Sequence, residues 1–103
     1  MTSDKLSNPL LGRIREQRAE ILEIAARHKA LDVRLFGSVL RGENAQGSDV
    51  DFLVRFQREH SIWDEIGLMI ELEELLGQKV DIAVEERLKE AYRPHILREA
   101  EPI

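Results

Sequence analysis

The chain contains no cysteine, which excludes disulfides and any thiolate metal site. It has no apolar run long enough to span a membrane and no apolar N-terminal stretch of the signal-peptide kind. A cytoplasmic protein is the expectation. No dense basic patch is present, which argues against direct nucleic-acid binding of the duplex-footprint type. There is no GxxxxGK followed by Ser or Thr, and no GxGxxG, so neither a P-loop nor a Rossmann reading has support. No internal repeat or low-complexity segment is visible. His28, His60 and His95 stand far apart without ligand spacing and read as surface residues.

What is present fits one domain over residues 1–103. The chain is 43% hydrophobic and 34% charged, enough for a modest core in a soluble protein. The net charge of -5 is unevenly spread. Residues 1–48 carry 8 Lys/Arg against 6 Asp/Glu, whereas residues 49–103 carry 7 against 14. A divalent cation bound in the acidic half would offset part of that excess.

Residues 1–7 are polar and are expected to be loose. Asn8-Pro9 has the form of a helix start. Leu10, Ile14, Ile21 and Ala25 then recur at helical spacing, predicting one helix that ends near Arg27-His28-Lys29. Val33–Phe36 reads as a short strand broken by Gly37. Ser38 is placed to cap a helical turn through Arg41, ended by Gly42, and Glu43 to Ser48 reads as a polar loop. A second strand is expected from about Asp49 to Phe56. Ser61, with Asp64 three residues on, caps a second long helix whose buried stripe is assigned to Ile62, Ile66, Met69, Ile70 and Leu76. Gly77 would terminate it. A third strand spans Lys79 to Val84, and weak helical turns interrupted by Pro94 follow. The order predicts an α/β domain, a small mixed sheet with helices packed on one side. Trp63 and Ile66 read as core or partner contacts, Tyr92 as a packing residue, and Glu71, Glu73 and Glu74 as a solvated face.

The chemistry-bearing run is Gly37-Ser38-Val39-Leu40-Arg41-Gly42 followed by Ser48-Asp49-Val50-Asp51. Residues two apart on a strand point to the same side, so Asp49 and Asp51 project together. A third acid, Asp81, sits in the apolar run Val80–Val84. Carboxylates paired beside apolar neighbours repel one another and resist burial unless a cation lies between them. Three such acids beside a Gly-Ser turn point to a metal-dependent site for a nucleoside triphosphate. Asp49, Asp51 and Asp81 are assigned as catalytic and metal-binding residues. Gly37 and Ser38 are assigned to phosphate contact, and Arg41 to the phosphates as a planar donor. Gly42 and Ser48 shape and support that nucleotide-binding set. Solvated strand-end acids and an ordinary strand-turn-helix cap are the plain alternatives.

The pattern Gly37-Ser38, Asp49-x-Asp51 and a later Asp81 resembles the DNA polymerase beta nucleotidyltransferase superfamily. The string FGSVLRGENAQGSDVDFLV is similar to its minimal nucleotidyltransferase branch, the MNT-domain antitoxins, and the likeness extends to the ending ILREAEPI. The resemblance implies the polymerase-beta-like nucleotidyltransferase fold, binding of ATP and magnesium (two ions), and a partner HEPN-domain toxin in a hetero-oligomer. It further implies transfer of AMP to a toxin tyrosine, neutralisation by binding and occlusion, or both. The intact acids favour the enzyme over the purely binding antitoxin.

Overall fold

The computed structural model describes residues 8–43 and 49–103. The segment 1–7 and most of the predicted loop, including Ser48, lie outside the described residues. In chain order the elements are α1 (Pro9–Glu16), α2 (Arg18–Arg27), β1 (Ala30–Phe36), α3 (Ser38–Arg41), β2 (Val50–Phe56), α4 (Ile62–Leu76), β3 (Val80–Val84), a 3-10 turn at Glu85–Arg87, α5 (Arg93–Glu99) and β4 (Glu101–Pro102). The sheet order is β3-β2-β1-β4. Strands β1 and β2 are antiparallel, β2 and β3 parallel, and β4 runs antiparallel to β1. The predicted α/β class with a small mixed sheet is the observed one.

Alternation along β2 divides the molecule. Val50, Phe52, Val54 and Phe56 are buried in a core shared with Val33 and Leu35 of β1 and with the buried residues of α1, α2 and α4. These helices cover that face. Asp51, Leu53 and Arg55 alternate to the other face, where the 3-10 turn lies against β2.

The helix starts follow the sequence. The Asn8 carboxamide oxygen accepts from the Leu11 amide at 3.3 Å, and Pro9 opens α1. Ser61 and Asp64 form a complete capping box on α4, and Gly77 ends it in the left-handed region. Four expectations are corrected. The first helix is two helices, broken at Gln17, whose amide is shared between the Arg13 and Ile14 carbonyls at 3.1 Å. Neither proline nor glycine marks that break. Ser38 is the first residue of α3 rather than its cap; Gly37 holds the cap position. Pro94 lies in the first turn of α5, where its missing N–H costs nothing, and so starts a helix instead of interrupting one. The short edge strand β4 was not anticipated.

The larger correction concerns α4. Its fully buried seam is Leu68, Leu72 and Leu76. Ile62, Ile66 and Ile70, assigned to the buried stripe, are 54%, 36% and 47% exposed, and Trp63 is 75% exposed. The helix is apolar on two faces, and periodicity alone does not say which one meets the sheet. Other side chains also shift roles. His28 and Arg27 pair with Glu71 at 2.5 and 2.6 Å, while Glu73 accepts the Val80 amide at 3.1 Å. His60 stacks on Phe56 with ring centroids 4.4 Å apart, and Tyr92 is exposed rather than packed.

These two faces of α4 differ in what they contribute to stability. Leu72→Ala is expected to cost about 2–5 kcal/mol, as for a fully buried leucine. Ile70→Ala, two residues away on the open face, is expected to cost about 1 kcal/mol or less. Urea unfolding midpoints of the two variants check this; equal losses would return Ile70 to the core.

Candidate active site

Three strands meet at the site. Asp51 pairs in register with Asp81 of β3 on one side and with Phe36 of β1 on the other. Register partners on neighbouring strands point to the same face, so Asp51 and Asp81 stand side by side on the sheet face opposite the helical core. Asp49 immediately precedes β2, two residues from Asp51. The three predicted acids therefore share one neighbourhood. Burial pushes the Asp51 carboxyl up to about 6, and the charges of Asp81 and Asp49 add to the effect, against a weaker opposing pull from Arg41.

The Gly-Ser turn closes over this carboxylate. Phe36 ends β1 opposite Asp51, and Gly37 then turns the chain with φ 86° and ψ -161°. A Cβ on Gly37 would fall inside the Asp51 carboxylate, with even Cγ only 3.1 Å away. Glycine is required twice over, by the positive φ and by the contact. Ser38 opens α3, whose Val39 is buried in the core, and Gly42 ends it in the left-handed region at φ 75°. The Asn8 side-chain amide donates to the Val39 carbonyl at 3.0 Å and ties the turn to the start of α1.

Glu99, which sequence reasoning did not single out, completes the neighbourhood. Strand β4 pairs Glu101 with Leu35 and Pro102 with Arg34, which brings the end of α5 beside the turn. The Glu99 carboxylate accepts the Gly37 N–H at 3.1 Å and also pairs with Arg41. Burial alone would raise its pKa, but the hydrogen bonds from Arg41 and Gly37 outweigh burial and hold it below the usual carboxylate range. Arg41 is further paired with Glu43 at 3.0 Å. It thus stands at the turn, as predicted, but with two acids as partners. The only signal for Glu99 in the sequence was the ending ILREAEPI, which contains it.

Oxygen donors from Asp49, Asp51 and Asp81 suit a hard cation such as magnesium. Asp51 is raised first by burial and then by the charges of Asp81 and Asp49, and a bound cation would offset the carboxylate repulsion. Among the described residues, no three carboxylate, imidazole or thiol groups are drawn together closely enough to hold an ion by themselves. Such a site fits an ion that brings phosphate oxygens with it. On the β3 side of the acids, a groove of about 170 Å³ runs between α4 and β3, lined by Ile62, Glu65, Ile66, Met69, Asp81 and Ile82.

Comparison with known proteins agrees with this geometry. The nucleotidyltransferase domain family matches residues 14–102. Protein adenylyltransferase MntA of Thermococcus cleftensis is 39% identical over 77 residues, 75% of this chain and 78% of that protein. A solved structure described as a minimal nucleotidyltransferase is 44% identical, with a TM-score of 0.82 over 90% of this chain and 95% of its own. A chain in a complex of tri-AMPylated Shewanella oneidensis HEPN toxin with MNT antitoxin shares the fold. It is 16% identical, with a TM-score of 0.64 over 85% of this chain and 69% of its own.

The crowding of carboxylates has a consequence for stability. Asp51 ionises near 3.8 in the unfolded chain and near 6 in the fold, so between those values the native state holds a proton that the unfolded state has lost. Stability of the metal-free protein therefore falls as pH rises from about 4 to 6, and the penalty is complete above that window. In EDTA, Asp51→Asn is expected to be more stable than the parent at pH 8 by about 1–2 kcal/mol. This is less than full conversion of the shift, because the carboxylate is partly open to water. The difference should vanish near pH 4. A variant no more stable at pH 8 would show that burial and neighbouring charge do not penalise the Asp51 carboxylate.

Proposed function

Since the chain belongs to the nucleotidyltransferase domain family, we propose that it is a protein adenylyltransferase that moves AMP from ATP onto a tyrosine hydroxyl of a HEPN toxin, and so acts as that toxin's antitoxin. The observation that carries this reading is the seating of the Gly37 backbone on Asp51, with Asp81 in register beside it. A backbone-lined turn seated against a pair of carboxylates is the arrangement that a metal-bound triphosphate would need, and this supports the reading. The 39% identity to protein adenylyltransferase MntA supports the reaction class, and the fold shared with the AMPylated-toxin complex supports the partner.

In this reading Gly37 lets the backbone approach the phosphates, Ser38 holds the β- or γ-phosphate and Gly42 shapes the turn, while Ser48, assigned to support them, lies outside the described residues. Arg41 is the nearest cation to the turn, and it must loosen from Glu43 or Glu99 to reach an anion. Asp49, Asp51 and Asp81 would hold the magnesium, two ions in this reading, together with oxygens of the triphosphate. When bound, the ions neutralise charge on the triphosphate and on the acids. Asp81 takes the proton of the attacking hydroxyl. The acceptor oxygen bonds to the α-phosphorus, the bond from that phosphorus to the bridging oxygen breaks, and pyrophosphate leaves. None of the described helices is long and apolar enough to cross a membrane, and we place the reaction in the cytoplasm.

The exposed apolar face of α4 also favours a second reading, in which the protein neutralises its toxin by binding and occlusion. The two separate by stoichiometry. With ATP and magnesium, a catalytic amount of protein is expected to silence excess toxin and add AMP to it by intact mass. Asp49→Asn/Asp51→Asn and Asp81→Asn should lower the transfer rate by about 100-fold or more. Neutralisation by Asp49→Asn/Asp51→Asn at equal amounts without ATP, with no mass increment in the toxin, would transfer the main role to occlusion.

A further inference from the structure

Helix α4 presents a second apolar face that nothing in the described fold covers. Among the described residues, six large hydrophobic side chains are more than a third exposed, and four of them are Ile62, Trp63, Ile66 and Ile70 of this helix. Their spacing places them on one stripe. Ile62 and Ile66 of the stripe line the groove that also takes in Asp81, and Trp63 and Ile70 continue the stripe outside it. A charged rim borders it: Glu65 pairs with Arg87 and, at 2.7 Å, with His60. An apolar centre inside a charged rim is the anatomy of a protein-binding patch, and an exposed tryptophan is a frequent anchor in one.

The direction of the chemistry says what should come to this patch. Attacking and leaving oxygens lie roughly in line across a transferred phosphoryl group. The phosphate-holding turn follows β1, Asp51 lies on β2, and Asp81 lies on the edge strand β3. With the pyrophosphate leaving toward the Gly37 turn, the acceptor must approach from the opposite side, across Asp81 and the edge of β3. The α4 stripe lies on that side. We infer that the α4 face of Ile62, Trp63, Ile66 and Ile70 is the docking surface for the protein acceptor, which is a protein whose target hydroxyl is flanked by apolar side chains and enters along the groove to Asp81. The inference rests on the adenylyl-transfer reading for its direction, but not for the existence of the patch.

The test uses the full chain and a purified HEPN-domain protein from the same organism. Trp63→Ala and Ile70→Glu alter exposed positions, so the fold should persist, and circular dichroism checks that it does. Both are expected to weaken HEPN-protein binding, titrated without ATP, by at least about tenfold. Both should raise the KM for that protein by a similar factor while leaving kcat and the affinity for ATP with magnesium within about twofold. Leu31→Ser, at an exposed apolar position far from the groove, should change none of these. Loss of binding in the variants upholds the patch even where the parent adds no AMP, an outcome that would sink the reaction and not the surface. Unchanged binding and KM would overturn the inference. So would weakened ATP binding, which would give the groove to the nucleotide, or conversion of a parental dimer to monomer with acceptor binding intact, which would give the face to a second copy. Absence of any binding by the parent would overturn it as well.

Discussion

A carboxylate held partly out of water, with two others beside it and a glycine backbone pressed against it, sets the terms for the rest of the molecule. Asp51 occupies the central strand β2, so it cannot move away from Asp81 without breaking the ladder that pairs the two residues. Gly37 cannot retreat either, because Phe36 is fixed opposite Asp51 by the β1–β2 register. The sheet therefore imposes the crowding. Among the described residues, Arg41 at the turn, already shared between two glutamates, exerts the opposing pull on Asp51, and a cation from solution would add to it.

The same strand separates this cost from the core. Even-numbered positions of β2 carry Val50, Phe52, Val54 and Phe56 into the helical layer, and the acids alternate away from it. Helices α1, α2 and α4 stabilise the sheet from one side; on the other the 3-10 turn lies against β2 and Leu53 is fully buried, while Asp51 stays half-buried and Asp81 exposed. The tie between the layers is thin and specific. Asn8 at the start of α1 holds the Val39 carbonyl, and Glu99 at the end of α5 holds the Gly37 amide. Both ends of the described chain thus converge on a four-residue turn, which explains how so short a helix keeps a defined geometry beside three like charges.

Features of the sequence that encode local constraints were legible. Period-two spacing put Asp49 and Asp51 together, Ser61 and Asp64 marked a cap, and Gly42 and Gly77 marked left-handed ends. Features settled by packing were not. Helix α4 offers Leu68-Leu72-Leu76 and Ile62-Ile66-Ile70 as two apolar stripes, and only the β2–β3 surface selects the leucines. Pro94 reads as a breaker until the chain before it is seen to be non-helical, which turns it into a helix start. Strand β4 is two residues long and exists because β1 has an open edge. Glu99 gains its place from that pairing, which no local pattern announces.

Local choices in a sequence usually agree with the global fold, and the exceptions mark sites of function. Among the described residues, several such exceptions gather in one neighbourhood. The chain keeps a glycine in a strained turn, sets two carboxylates in register on adjacent strands, and raises the central one to about 6. None of this serves the main core cluster, whose β2 residues Val50, Phe52, Val54 and Phe56 lie on the other face. An uncharged side chain at Asp51 would leave every core contact in place and relieve the repulsion. The acids thus cost stability that the fold has no use for, and that cost has a physical return only where positive charge and phosphate meet them. The uncovered isoleucines of α4 make the complementary case: apolar surface that the fold could have buried or replaced stands open, and two of them, Ile62 and Ile66, share a groove with Asp81.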